Sequence, residues 1–149
     1  MIILDTNVVS ELMKKEPDSA VENWTRRQPD ESLYVTTITE AEILHGILLL
    51  AKGKRRTALE EAATGMFRED FDERVLPFDS PAARAYAEIA AVRSRAGRPI
   101  SNFDAQIAAI ARVNGATVST RNVDDLEGCG VDLVNPWLES TSAAEPRRR

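Results

Sequence analysis

Apolar positions recur along this chain with two different periods, and breakers mark where one gives way to the other. Ile2-Ile3-Leu4 runs straight into Asp5-Thr6-Asn7, which reads as a short buried strand closed by polar residues. Helical spacing follows over residues 8–15 and 19–28, with Glu16-Pro17-Asp18 between them. Residues 33–36 (Leu-Tyr-Val-Thr) are short and β-branched or aromatic, hence a second strand. Residues 39–51 are apolar along one side, and 54–71 continue as a longer amphipathic helix. A weak strand at 74–76 ends at Pro77. Residues 81–97 then carry proline in the first turn of a helix and glycine after its end, and 103–114 form another helix stopped by Gly115. Strands at 116–119 and 131–134 complete the series, the last closed by Pro136.

Strands separated by helices of this length imply right-handed crossovers and a mostly parallel sheet covered on both faces. The prediction is a three-layer α/β/α domain of four to five strands over residues 1–139. Residues 140–149, small, polar and basic at the end, read as a flexible tail. A chain of 149 residues is about the size of one domain and can bury roughly two thirds of its unfolded surface.

Composition narrows the function classes. Charged residues make up 29% of the chain, and no apolar run approaches the ~20 residues that span a bilayer. No secretory signal is visible, because Asp5 interrupts the first apolar stretch, so a cytoplasmic location is expected. Cys129 is the only cysteine, which excludes an intrachain disulfide and a cysteine-rich zinc site. The net charge of -5 is not that of a passive nucleic-acid coat, although carboxylates that hold a cation make the formal charge overstate the working one.

The acids fall at equivalent places in this layout. Asp5 ends the first strand, Glu42 and Asp104 each sit in the first turn of a predicted helix, and Asn122, Asp124 and Asp125 follow the strand at 116–119. In open parallel sheets ligands gather at the carboxyl ends of the strands. Each acid also has an ordinary reading: Asp5 as a helix cap, Glu42 as the partner of Thr39 in a capping box, Asp104 as a complement to a helix dipole, Asp124 and Asp125 as a solvated loop. Convergence has an energetic cost, since two carboxylates about 4 Å apart repel by roughly 4 kcal/mol at an effective dielectric near 20. Oxygen donors without cysteine, and with His45 as the single histidine, favour magnesium or manganese as the compensating ion. Waters held on such an ion can attack phosphorus, the chemistry of a metal-dependent phosphodiesterase.

These residues carry a resemblance. Leu4-Asp5-Thr6-Asn7, then Thr39-x-x-Glu42 with Gly46, then Asp104-x-x-Ile107-Ala108-Ala109, then Thr120-Arg121-Asn122 resemble the successive motifs of PIN-domain ribonucleases. The similarity is to the VapC-like toxins of bacterial type II toxin–antitoxin modules, and Pro77-Phe78-Asp79 with Asn135-Pro136-Trp137 is similar to the FitB branch. It implies a Mg²⁺- or Mn²⁺-dependent endoribonuclease that forms a homodimer and is silenced by a small cognate antitoxin of the VapB/FitA kind, meeting DNA only through that antitoxin. Carried onto this chain, it makes Asp5, Glu42 and Asp104 the metal ligands and catalytic groups, with Thr6 and Thr120 fixing the site. The fourth acidic place is taken here by Asn122, so either Asp124 or Asp125 completes the site or a second metal is weakly held. The alternative is a catalytically weak PIN scaffold that serves as an antitoxin-binding module in a DNA-binding repressor complex. A haloacid-dehalogenase-type phosphatase wants a second aspartate where this chain has Asn7, and an integrin-like metal site wants serines at Asn7 and Val9; both fit poorly.

Outside the acids, Lys52, Lys54, Arg55 and Arg56 form the only basic run inside the domain and are candidate RNA-backbone contacts, as is Arg121. His45, one turn beyond Glu42, is a weaker candidate. Trp24, Trp137 and the apolar faces around Tyr86, Ile89, Val92, Ile47, Leu48 and Leu50 are offered to a core or to a partner.

Overall fold

The computed structural model describes residues 1–139, so the expected tail at 140–149 lies outside the described residues. Five strands, β1 (Ile2–Leu4), β2 (Leu33–Thr36), β3 (Val75–Leu76), β4 (Thr117–Ser119) and β5 (Leu133–Val134), form one sheet in the order β3-β2-β1-β4-β5. Every neighbouring pair is parallel. The helices are α1 (Thr6–Leu12), α2 (Ser19–Arg26), α3 (Thr37–Leu48), α4 (Lys54–Gly65), α5 (Ser80–Arg95), α6 (Asn102–Asn114) and the short α7 (Val123–Leu126).

The period-2 alternation of β1 splits the core in two. Ile3 packs with residues of α5 and α6, together with Val118, Leu126 and Cys129. Leu4, its neighbour, packs on the other face with Val8, Val21, Trp24, Val35 and Ile43 from α1, α2, β2 and α3, and with Phe67 just beyond α4. Each such fully buried side chain contributes about 1.5–3 kcal/mol, so the central strand is held from both faces. This is the three-layer α/β/α arrangement predicted from the spacing.

Boundaries moved where the pattern was ambiguous. α3 begins at Thr37, not Thr39: Thr36 is its N-cap and accepts a hydrogen bond from the Thr39 amide at 3.1 Å. Glu42 therefore lies in the second turn, and the capping-box reading of Thr39 and Glu42 falls. The helix expected over 54–71 is α-helical only to Gly65 and then widens into a π turn, Met66–Asp70, where the Phe71 amide bonds the Met66 carbonyl at 3.0 Å. α7 is four residues long, too short for periodicity to announce.

Strand order places the site. The chain builds β2 and β3 on one side of β1, then crosses back to add β4 and β5 on the other. The order reverses between β1 and β4, and in doubly wound sheets ligands bind outside the carboxyl ends at that switch point. Asp5 and Thr120 are the residues that immediately follow those two strands.

Candidate active site

Asp5 is 4% exposed and does two jobs. As the N-cap of α1 it accepts the Thr6 amide on Oδ1 at 2.8 Å. Its Oδ2 accepts the Thr120 hydroxyl at 2.7 Å and the Asn7 amide nitrogen at 3.3 Å. Thr120 Oγ1, having donated its proton to Asp5, accepts from the Asn122 backbone amide at 3.0 Å and from Asn7 Nδ2 at 3.4 Å. Because Thr120 ends β4 and Asp5 ends β1, these bonds tie the carboxylate across the switch point. The capping reading of Asp5 holds, and the same carboxylate meets Thr120 across the switch point.

Glu42 is reached from α1. Thr6 Oγ1 donates to Glu42 Oε1 at 2.8 Å and lies 2.9 Å from Thr39 Oγ1. Thr6 has one hydroxyl proton, which goes to the carboxylate, so Thr39 is the donor of the second bond. The buried Thr39 thus steadies Thr6, and Thr6 steadies Glu42.

Asp104 comes from the other side of the crevice, at the start of α6. Ser101 caps that helix, accepting the Asp104 amide at 3.2 Å. The Asp104 carboxylate is half-buried and has no hydrogen bond or ion pair among the described residues. With Asp125, Ser101, Ile100 and Arg93 it lines a cavity of about 180 Å³. Of the three residues offered for the fourth position, Asn122 is exposed and caps α7 without a side-chain bond, and Asp124 and Asp125 are both exposed. Only Asp125 shares the cavity with Asp104.

Arg93 and Asn7 were not singled out by their sequence. Arg93, 7% exposed on α5, donates to the carbonyls of Arg98 (2.8 Å), Asp125 (2.9 Å) and Glu127 (3.1 Å), and its Nη1 lies 3.7 Å from the Cys129 thiol. It thereby fixes both the loop that precedes Asp104 and the segment carrying Asp125. An arginine on an amphipathic helix gives no sign that it will be buried. Asn7 bonds Asp5 and Thr120 and accepts the Arg121 amide at 3.2 Å; its position two residues past Asp5 was the available signal.

Electrostatics couple the three acids. Burial pushes the Asp5 carboxyl above its ordinary value against the hydrogen bonds from Thr120 and Thr6, and the charge of Asp104 raises it further. Burial also raises Glu42, against the bond from Thr6, and the charges of Asp5 and Asp104 add to the rise. No cation is among these influences. The donor set is oxygen alone, as a hard divalent ion prefers. Among the described residues, however, no three Asp, Glu, His or Cys side chains converge closely enough to hold an ion between them. The arrangement fits an ion that takes one or two carboxylates and completes its shell with water, the usual habit of magnesium, and not a closed protein cage.

The remaining candidates are scattered. Lys52, between α3 and α4, and Lys54 and Arg55, at the start of α4, are exposed, and Arg56 pairs with Glu60 at 2.9 Å. α3 ends six residues after Glu42, about 9 Å along its axis, and none of these basic side chains bonds Asp5, Glu42 or Asp104 among the described residues. His45 is exposed. Trp24 and Ile89 are core, Val92 and Leu48 are exposed, and Trp137 is half-buried beneath Arg121, whose guanidinium carbon lies 4.9 Å from the ring centre. No helix among the described residues is long and apolar enough to cross a membrane.

A parallel sheet with acids gathered at its switch point defines a class, and comparison with known proteins agrees with it. The PIN domain family model matches residues 2–127. The VapC ribonuclease Y4jK of Sinorhizobium fredii is 44% identical over 137 residues, 92% of this chain and 98% of its own. Toxin FitB of Neisseria gonorrhoeae is 37% identical over 137 residues, 92% of this chain and 99% of its own. The solved structure of FitAB bound to an IR36 DNA fragment superposes with a TM-score of 0.88 at 36% identity, covering 96% of this chain and all of that one. The chain belongs to the PIN-domain family, in the branch that holds the VapC and FitB toxins.

Proposed function

We propose that this protein is the toxin of a type II toxin–antitoxin module, an endoribonuclease that needs Mg²⁺ or Mn²⁺ to hydrolyse RNA phosphodiester bonds. The observation that carries the reading is geometric: Asp5 tied to Thr120 across the switch point, Glu42 tied to Thr6 beside it and Asp104 at the start of α6, with no ion pair to any of the three among the described residues. The names of the relatives support it: ribonuclease for one, toxin for another.

Asp5, Glu42 and Asp104 are the residues from which a metal would take one or two carboxylates, with water completing its shell; it would supply Lewis-acid polarisation of the phosphate and a water of lowered pKa. The chain's own part is positioning. Thr120, Asn7 and the Thr6 amide fix both oxygens of Asp5. Thr6 occupies Glu42 Oε1 and leaves Oε2 without a donor among the described residues. Asp104 contributes a carboxylate that no group among the described residues has claimed, and Asp125 lines the same cavity. Such pre-set geometry removes reorganisation from the reaction step.

The proposed partners are a small antitoxin of the FitA/VapB kind and a second copy of this chain, with DNA reached through the antitoxin. An apolar cleft of about 320 Å³, lined by Met13, Ile43, Ile47, Leu50 and Leu59, opens beside Thr6 and Glu42. An antitoxin segment seated there lies against the carboxylates, so binding and silencing coincide. The second reading, a binding module with little catalysis, is favoured by the lack of a three-ligand cage and by Asn122 at the fourth position.

Sequencing the RNA ends left by purified, antitoxin-free protein in Mn²⁺, beside Asp5→Asn, tests the proposal. Discrete ends that vanish in the variant are expected. Intact RNA under both conditions would leave the binding module as the function.

A further inference from the structure

The acids explain how a phosphate would be attacked but not what keeps a polyanion next to a carboxylate cluster on a chain of net charge -5. One cation beside the site, Arg121, forms no ion pair among the described residues. Arg121 directly follows Thr120, the residue bonded to Asp5. Its backbone is pinned on both sides: the amide donates to Asn7 Oδ1 at 3.2 Å, and the carbonyl accepts Asn135 Nδ2 at 3.4 Å. The same Asn135 accepts the Trp137 amide at 3.0 Å, and Trp137 packs on the Leu4 side of the core. The indole therefore stands fixed, and the Arg121 guanidinium rests over it at 4.9 Å.

Among the described residues the Arg121 side chain is exposed and has no hydrogen bond or ion pair, although Asp124 and Asp125 lie only a few positions on. An arginine kept for stability would be expected to pair with such a carboxylate. Here the ring holds the guanidinium while its donor fork stays unused, and a fork of that shape matches two phosphate oxygens. Stacking reduces the side-chain freedom lost when an anion binds.

We propose that Arg121, stacked on Trp137, is a phosphate subsite that grips the backbone of the RNA strand beside the bond to be cut. This rests on the nuclease reading. A backbone contact of this kind adds affinity without base preference, so it sets how tightly any strand is held and not where it is cut.

The test is steady-state cleavage of a single-stranded RNA oligonucleotide in Mn²⁺ by full-length antitoxin-free protein, as wild type, Arg121→Gln, Arg121→Lys and Trp137→Leu. Arg121→Gln should raise KM about tenfold with kcat within about twofold, and reduce the slope of log KM against log salt by about one. Arg121→Lys, which keeps the charge but not the planar fork, should recover part of the loss; Trp137→Leu should raise KM about threefold with the cut positions unchanged. An unchanged KM in Arg121→Gln, a lower kcat at unchanged KM, or moved cut positions overturns the subsite while leaving the nuclease intact. Wild-type protein inert on RNA in both Mn²⁺ and Mg²⁺ overturns the nuclease reading and the subsite together.

Discussion

The two halves of the acidic crevice are held in opposite ways. On the β1 side, Asp5 and Glu42 are tied down by side-chain hydroxyls: Thr120 on Asp5, Thr6 on Glu42, Thr39 on Thr6. On the α6 side the Asp104 carboxylate is bonded to nothing in the described protein, and order comes from beneath, through Arg93 gripping the carbonyls of residues 98, 125 and 127. One half fixes its functional atoms directly; the other fixes the backbone and leaves the functional atoms free. On the α6 side, substitutions should therefore separate into those that cost activity alone and those that cost stability, whereas on the β1 side one substitution should cost both.

The largest effect expected is on catalysis. Asp104→Asn should lower RNA cleavage about a hundredfold or more, the several kcal/mol that a metal-holding carboxylate supplies, while the thermal midpoint stays within about 2 °C, because no protein bond is lost. A fall of many degrees in that midpoint would mean that Asp104 is structural and the two halves are alike. Arg93→Met should act the other way, costing roughly 2–4 kcal/mol in urea unfolding, as three carbonyls lose the charged donor of a buried side chain. A change below about 0.5 kcal/mol would show that Arg93 carries no weight. Thr120→Val and Thr6→Val remove the hydroxyls on the β1 side. Each should reduce cleavage by about ten- to a hundredfold, as loss of a partner that orients a metal ligand does, with roughly 1 kcal/mol of stability.

The smallest effect is in pH. Asp5 and Glu42 both have pKa values raised by burial above those of the unfolded chain. The folded state then takes up protons before the unfolded one does, so these groups weaken the metal-free fold at neutral pH and that penalty is relieved as pH falls through their raised values toward about 4. Metal-free wild type should gain stability over that window relative to the Asp5→Asn, Glu42→Gln double variant. Parallel stability–pH curves for the two proteins would contradict it.

Much of this was legible in the sequence, for reasons that can be named. β1 and β2 were found at their true limits because apolar, β-branched runs stop at polar residues, and the alternation with helices fixed the parallel sheet. Asp5 stood out because a buried strand ended on it. The α3 start was misplaced by two residues because Thr36, Thr37 and Thr39 suit a strand, a cap or a first turn equally well. α7 and the π turn after Gly65 left no periodic trace. Asp125 could not be separated from Asp124, since both are exposed acids in one short helix and only the cavity beside Asp104 distinguishes them. Arg93 was invisible because its partners are carbonyls, one just past the end of its own helix and two more than thirty residues on, which no spacing encodes.

The central claim is that the acids at the switch point exist to hold a divalent ion. Isothermal titration of the antitoxin-free protein with Mn²⁺ addresses it without RNA or turnover. The account predicts saturable binding in the wild type that is lost in Asp5→Asn and in Asp104→Asn, so that both halves of the crevice are needed. A wild type that takes up no Mn²⁺, or an Asp104→Asn protein that binds it as tightly as the wild type, would contradict it.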